Sequence, residues 1–113
     1  AEIHRAVAAY DPAASPRLAP GIALYDRGDY NGAIRALSAR EFVVDGNVPT
    51  QIAARKLLAF SYCVSGRPAP CKQQFDAILK LDRGFELTPA EAGHPLWGPV
   101  FKRAKADAER AGK

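Results

Sequence analysis

The sequence predicts an all-α single domain over residues 1–113, built from two helical hairpins that are flanked by an N-terminal and a C-terminal helix. Apolar residues recur at three- and four-residue spacing along most of the chain, as on one face of a helix. Glycines, prolines and helix-capping residues separate these segments at short intervals. The single stretch with strand propensity, residues 41–44, has no partner strand. Apolar residues make up 48% and charged residues 25%, as in a globular domain.

The N-terminal part predicts two helices before the first tight turn. The first covers Ala1 to Tyr10. The second begins at Ser15-Pro16, where Ser is the N-cap, and Gly28 ends it. Pro20 is compatible with this helix only in its first turn. Its apolar stripe consists of Leu18, Ile22 and Tyr25.

Capping signals divide the middle of the chain. Asp29 can cap a helix from Tyr30 to about Arg40. Residues 41–44 are expected to extend this helix by one turn or to form irregular chain. Thr50 can cap a longer helix from Gln51 to Val64, which Ser65-Gly66 ends.

The last third predicts one more long helix and a C-terminal capping segment over residues 86–110. The long helix runs from Pro68 to Leu81. Thr88 and Glu91 fit a capping box that starts a short helical turn. Gly98-Pro99 precedes a final helix that ends near Arg110.

Two segments align with an offset of 38 residues, at Gly28 and Gly66. In each, a small residue follows the glycine by five positions, and a large apolar residue follows four positions later. These residues are Ala33 and Leu37 in the first segment, and Cys71 and Phe75 in the second. A glycine permits a left-handed turn between helices, and a small residue lets two helices approach closely. The repeat units span about 14–47 and 52–85.

The Gly-Asp-Tyr-x-x-Ala-Ile pattern of residues 28–34, with its second copy, resembles the tetratricopeptide repeat (TPR). Arg17 and Arg55 stand where this family often has an aromatic residue, and Arg83 stands in place of its final proline. The resemblance implies stacked hairpins whose first helices line a concave face. The candidate partner-binding residues on this face are Leu18, Ile22, Tyr25, Lys56, Phe60 and Val64. The face can receive a partner or be filled by the chain's own first or last helix.

Trp97 is the remaining candidate partner-binding residue. It lies in Pro95-Leu96-Trp97-Gly98-Pro99-Val100-Phe101, where prolines and glycines restrict the backbone around large apolar side chains. Repeat proteins need a closing element at their ends, so this tail can cap the second hairpin. The alternative is an exposed anchor for a partner, because Trp is enriched in binding hot spots.

The tail from Leu81 to Phe101 also resembles the end of small exported bacterial lipoproteins that carry tetratricopeptide-like repeats and accompany type VI secretion systems (TssQ-like). This resemblance implies a periplasmic protein anchored to the outer membrane by an N-terminal lipid. The chain begins at Ala1 and contains no Met. We therefore expect a mature or trimmed form whose lipid-acceptor cysteine lies upstream. Membrane contact is expected only through that anchor.

Cys63 and Cys71 are the two cysteines of the chain and stand on either side of Gly66. Across a tight hairpin they lie on facing helices, so their sulfur atoms can approach bonding distance. We expect a structural disulfide, which fits an oxidising compartment; two free buried thiols are the alternative. The spacing excludes a Cys-x-x-Cys redox site.

Sequence motifs for catalysis are lacking, so we expect no enzyme, cofactor or metal site. His4 and His94 are far apart, and His94 is expected to be a hydrogen-bonded loop residue. The net charge of +4 is too weak to indicate nucleic-acid binding. A basic cluster at residues 102–105 is expected to be a solvated helix face, with an acidic partner or a membrane surface as the alternative.

These observations predict a protein–protein interaction or adaptor module of a bacterial envelope assembly, binding another envelope or secretion-system protein. The alternative is a structural oligomerisation domain, whose apolar face packs against a copy of itself.

Overall fold

The computed structural model describes residues 16–112, and this part of the chain is all-α, as predicted. A 3-10 turn, Pro16–Leu18, leads into the first helix. The α-helices of the described range are α1 (Ala19–Asp26), α2 (Tyr30–Leu37), α3 (Arg40–Val43), α4 (Val48–Val64), α5 (Pro68–Leu81), α6 (Pro89–Ala92) and α7 (Gly98–Ala111). The predicted helix Ala1 to Tyr10, with His4, and the predicted N-cap Ser15 lie outside the described residues.

Two helical hairpins, α1–α2 and α4–α5, turn in the same way. Gly28 and Gly66 both have φ +81°, the left-handed conformation that glycine adopts without strain. Two backbone hydrogen bonds of a Schellman motif close each turn, so the last helix carbonyls are satisfied. These bonds run from Gly28 N to Tyr25 O, Asp29 N to Leu24 O, Gly66 N to Cys63 O and Arg67 N to Tyr62 O, at 2.8 to 3.1 Å. The hydrogen bonds of the two turns are therefore related by the same 38-residue offset as the two sequence segments.

The hairpins pack through α2 against α4, and α7 then packs on α5. The core between them contains the fully buried side chains Leu18, Leu37, Ile52, Leu58, Phe75 and Ile78. Gly21 lets α1 approach α2 closely, because a Cβ atom there would meet Leu37 Cδ2 at 2.5 Å and the leucine side chain would have to shift. This helix begins at Ala19 and not at the predicted Pro16, because residues 16–18 form the 3-10 turn. Pro20 therefore lies in the first turn of α1, the one part of a helix that tolerates proline.

Two further helix boundaries differ from the prediction. The helix expected to reach Arg40 ends at Leu37, since Ala39 is extended (φ −57°, ψ 138°) before α3 begins. The helix expected from Gln51 begins at Val48, because the side chain of Asn47 accepts a hydrogen bond from the Thr50 amide at 2.9 Å and is the N-cap. Pro49 falls in the first turn, where a missing amide hydrogen costs nothing.

The C-terminal elements follow the prediction closely. The capping box of α6 is present, with the Glu91 amide donating to Thr88 Oγ1 at 3.2 Å and the Thr88 amide donating to Glu91 Oε1 at 2.9 Å. The final helix extends to Ala111. Within residues 16–112, no helix has the length and apolar character needed to cross a membrane.

Candidate interaction groove

The two cysteines form a disulfide that closes the second hairpin. Their sulfur atoms are 2.04 Å apart and their Cα atoms 5.3 Å apart, so Cys63 of α4 is joined to Cys71 of α5 as the sequence predicts. Both residues are buried. A loop this short stabilises the fold by about 2.5 kcal/mol through the lost freedom of the unfolded chain.

We call the face that carries the six predicted positions the groove. Leu18, Ile22 and Tyr25 lie in the 3-10 turn and α1, and Lys56, Phe60 and Val64 lie in α4. The structure divides these positions into two sets. Leu18, Lys56 and Phe60 are buried, with at most 7% of the residue exposed. Ile22, Tyr25 and Val64 are half-buried against the core. Only the second set offers surface to a partner, so the groove is partly filled.

The chain itself fills the groove with residues 88–97, here called the filling segment. The indole of Trp97 lies on the Phe60 ring with centroids 3.8 Å apart and planes 13° from parallel. The indole Nε1 donates to the Glu91 carbonyl at 2.8 Å. On the other face of the indole lies His94, at 3.5 Å and 7°. Trp97 is 8% exposed and packs on α4, which is the arrangement expected if the tail caps the second hairpin.

An ion pair holds the other end of the filling segment. Lys56 Nζ lies 2.6 Å from Glu91 Oε2, and 9% and 23% of the two side chains are exposed. The same ammonium group lies 5.9 Å from the centroid of the Phe60 ring. Glu91 therefore caps α6 with one oxygen atom and binds Lys56 with the other. The sequence predicted Lys56 as a candidate partner-binding residue, but it predicted only helix capping for Glu91.

The half-buried Ile22 and Tyr25 and the exposed Leu96 are here called the rim of the groove. Tyr25 packs edge-on against Tyr30 at 5.6 Å. Burial, with contributions from Tyr30 and the carboxylates Asp26 and Glu91, raises the pKa of the Tyr25 hydroxyl to about 12. This side chain is thus a neutral donor at physiological pH. Leu96, on the filling segment, has 50% of its surface exposed.

Ion pairs on both flanks attach α7, through Lys72–Asp107 to α5 and through Lys105–Glu86 (3.1 Å) to the chain that follows α5. Lys72 of α5 lies 2.9 Å from Asp107 Oδ2 and also pairs with Asp76. The hydrogen bond from Lys72 lowers the pKa of Asp107 and raises that of Lys72. On the other flank, Lys105 donates to the carbonyls of residues 83 and 85 at 2.9 and 3.0 Å. Of the predicted basic cluster, Lys102 and Arg103 are exposed, whereas Lys105 is half-buried.

Among residues 16–112, no group of three or more His, Cys, Asp or Glu side chains could hold a metal ion. Comparisons with family models, with curated proteins and with solved structures find no match to this chain. Its interpretation as a repeat protein thus depends on its own residues and hairpins.

Proposed function

We propose that this chain is a tetratricopeptide-like interaction module that binds another protein and catalyses no reaction. The observation that carries the proposal is the pair of hairpins with matching turns at Gly28 and Gly66. Stacked hairpins of this kind create an extended surface that suits polypeptide partners. In the groove the buried Lys56 is paired with the half-buried Glu91, which fits a binding role better than a catalytic one.

The disulfide and the resemblance of the tail support the compartment that we propose. A buried disulfide persists in oxidising compartments, such as the bacterial periplasm. We propose that the module belongs to the bacterial envelope, carries an N-terminal lipid in its natural form, and serves a type VI secretion apparatus. The lipid and the apparatus are supported by the resemblance of residues 81–101 alone.

Site-specific photo-crosslinking in cells that carry this apparatus tests the proposal. A photoreactive amino acid at Leu96 or Ile22, at the rim of the groove, should form adducts with an envelope protein that mass spectrometry can identify. The matched control is Gln73, which is exposed on α5. Equal adducts at Gln73, or none at the rim, would contradict the binding role of this face. Adducts that contain only this chain would favour the alternative, an oligomerisation domain.

A further inference from the structure

The filling segment is attached to the groove by few side chains. Helix α6 contains no buried residue, and the strong contacts of the segment are those of Glu91 and Trp97. Most of its other residues are exposed, namely Pro89, Ala90, Ala92, Gly93, Pro95 and Leu96. Segments with few buried contacts open at lower free energy than the core.

Both ends of the filling segment are fixed independently of it. Phe85 and Leu87 before it, and Val100 and Phe101 after it, are buried. The Phe101 ring packs against Phe75 of α5 at 5.1 Å and against Phe85 at 5.9 Å. The ion pairs on the flanks of α7 hold that helix as well. The segment can therefore leave the groove as a loop while α7 stays in place.

Lys56 is an unusual residue for its position. The equivalent position of the first hairpin, 38 residues earlier, holds the fully buried Leu18. A lysine is seldom buried without an anion, and an apolar residue at such a site is often as stabilising as the ion pair. A buried lysine instead needs an anion beside it, because an unpaired buried charge is costly. In the structure the groove holds a carboxylate at Lys56 and a flat aromatic ring at Phe60.

We propose that residues 88–97 are an internal, displaceable ligand of the groove. The external ligand is a segment of a partner protein that presents a carboxylate to Lys56 and an aromatic ring to Phe60. This inference depends on the proposed interaction function and specifies its partner. Because the internal ligand is tethered, it competes at an effective concentration of about millimolar. Partner binding is then weakened by the closed groove and strengthened when the internal ligand is weakened.

A synthetic peptide of residues 86–98 is a suitable probe, because it carries the same two groups. Calorimetric titration would compare the full-length chain with its Trp97→Ala variant. We expect the variant to bind the peptide roughly tenfold or more tightly, since it lacks the competing ring. The matched controls are a peptide with Glu91→Gln and a protein with both Trp97→Ala and Lys56→Met, and each should bind weakly. Equal affinity for the two chains, or binding that is indifferent to Lys56→Met, would overturn the inference.

A measurement on the unchanged protein keeps the inference testable if Trp97→Ala does not fold. Hydrogen exchange by mass spectrometry should show amides of residues 88–97 exchanging roughly 100-fold faster than those of residues 52–63 in α4. Similar protection in both would mean that the segment is part of the core, and the inference would fail. Crosslinks at the rim together with failed peptide binding would support the interaction function but contradict the binding mode inferred here. Peptide binding without crosslinks would contradict the proposed envelope partner and support the displaceable segment.

Discussion

The indole of Trp97 lies flat on the ring of Phe60, 3.8 Å away, although the two residues are 37 positions apart in the chain. This contact joins the C-terminal segment to α4 and closes the groove that the repeat pattern predicts. The stability of the segment and the accessibility of the groove therefore depend on the same pair of rings.

Replacing Trp97 should destabilise the chain according to how much ring surface is lost. Trp97→Ala is expected to lower the free energy of unfolding by about 2–3 kcal/mol, less than the usual cost of a buried Trp, because the segment can leave the groove instead of leaving a cavity. Trp97→Phe retains the stacking and should cost about 1 kcal/mol. Urea denaturation followed by circular dichroism measures both values. Equal losses for Ala and Phe would show that the stack contributes little.

Lys56 and Glu91 should behave as a coupled pair. Lys56→Met leaves the Glu91 carboxylate without its partner and should cost about 1–3 kcal/mol. The double variant with Glu91→Gln should recover part of that loss, since no charge is then left unpaired. The exposed pair of Arg17 and Glu41 is the control, and Arg17→Met should cost less than about 1 kcal/mol. A purely additive double variant would contradict the coupling.

The disulfide should be measurable both chemically and energetically. Alkylation without a reductant should leave the mass of the purified chain unchanged, whereas two adducts would exclude the bridge and remove the main physical support for an oxidising compartment. Reduction should lower the free energy of unfolding by about 2.5 kcal/mol. A variant with Cys63→Ala and Cys71→Ala is the control, because its stability should not respond to the reductant.

The two turn glycines should give matching penalties when replaced by alanine. Both have φ +81°, and nothing lies within 4 Å of the Cβ atom that each would gain, so the cost is conformational alone. We expect Gly28→Ala and Gly66→Ala each to lower the stability by about 1–2 kcal/mol in denaturation experiments. Gly93, whose φ is −80°, is the matched control and should tolerate alanine. A large difference between the two turns would show that they are not equivalent.

Acid should weaken the attachment of α7 through Asp107. The hydrogen bond from Lys72 lowers the Asp107 pKa in the folded chain below its usual 3.8. A lowered carboxyl pKa stabilises the fold above the unfolded value, and this contribution is lost as the pH falls through the folded value. Stability measured between neutral pH and about pH 2 should therefore fall less steeply in Asp107→Asn than in the unchanged chain. Glu109→Gln, on the exposed side of the same helix, should keep the original slope.

Local signals allowed most of the fold to be predicted. Gly28 and Gly66 fix the hairpin turns by their own conformation, and Thr88 and Glu91 cap α6 through groups three residues apart. The prediction failed where two local signals competed, as at Asn47 and Thr50, which both can cap α4. Filling of the groove by the chain itself was one of two alternatives that the sequence left open. The contacts that fill it could not be derived in this way, because they join residues far apart in the chain. Glu91 already had a sufficient local role, so nothing in the sequence indicated Lys56 as its partner.

Trp97 is the one tryptophan of the chain and is sandwiched between Phe60 and His94. Its emission spectrum therefore reports a single environment, that of the closed groove. Water around the indole should shift the emission to longer wavelength when the filling segment leaves. The unlabelled protein thus contains its own optical sensor for whether the groove is open, and the sensor can be read while any candidate partner without tryptophan is added.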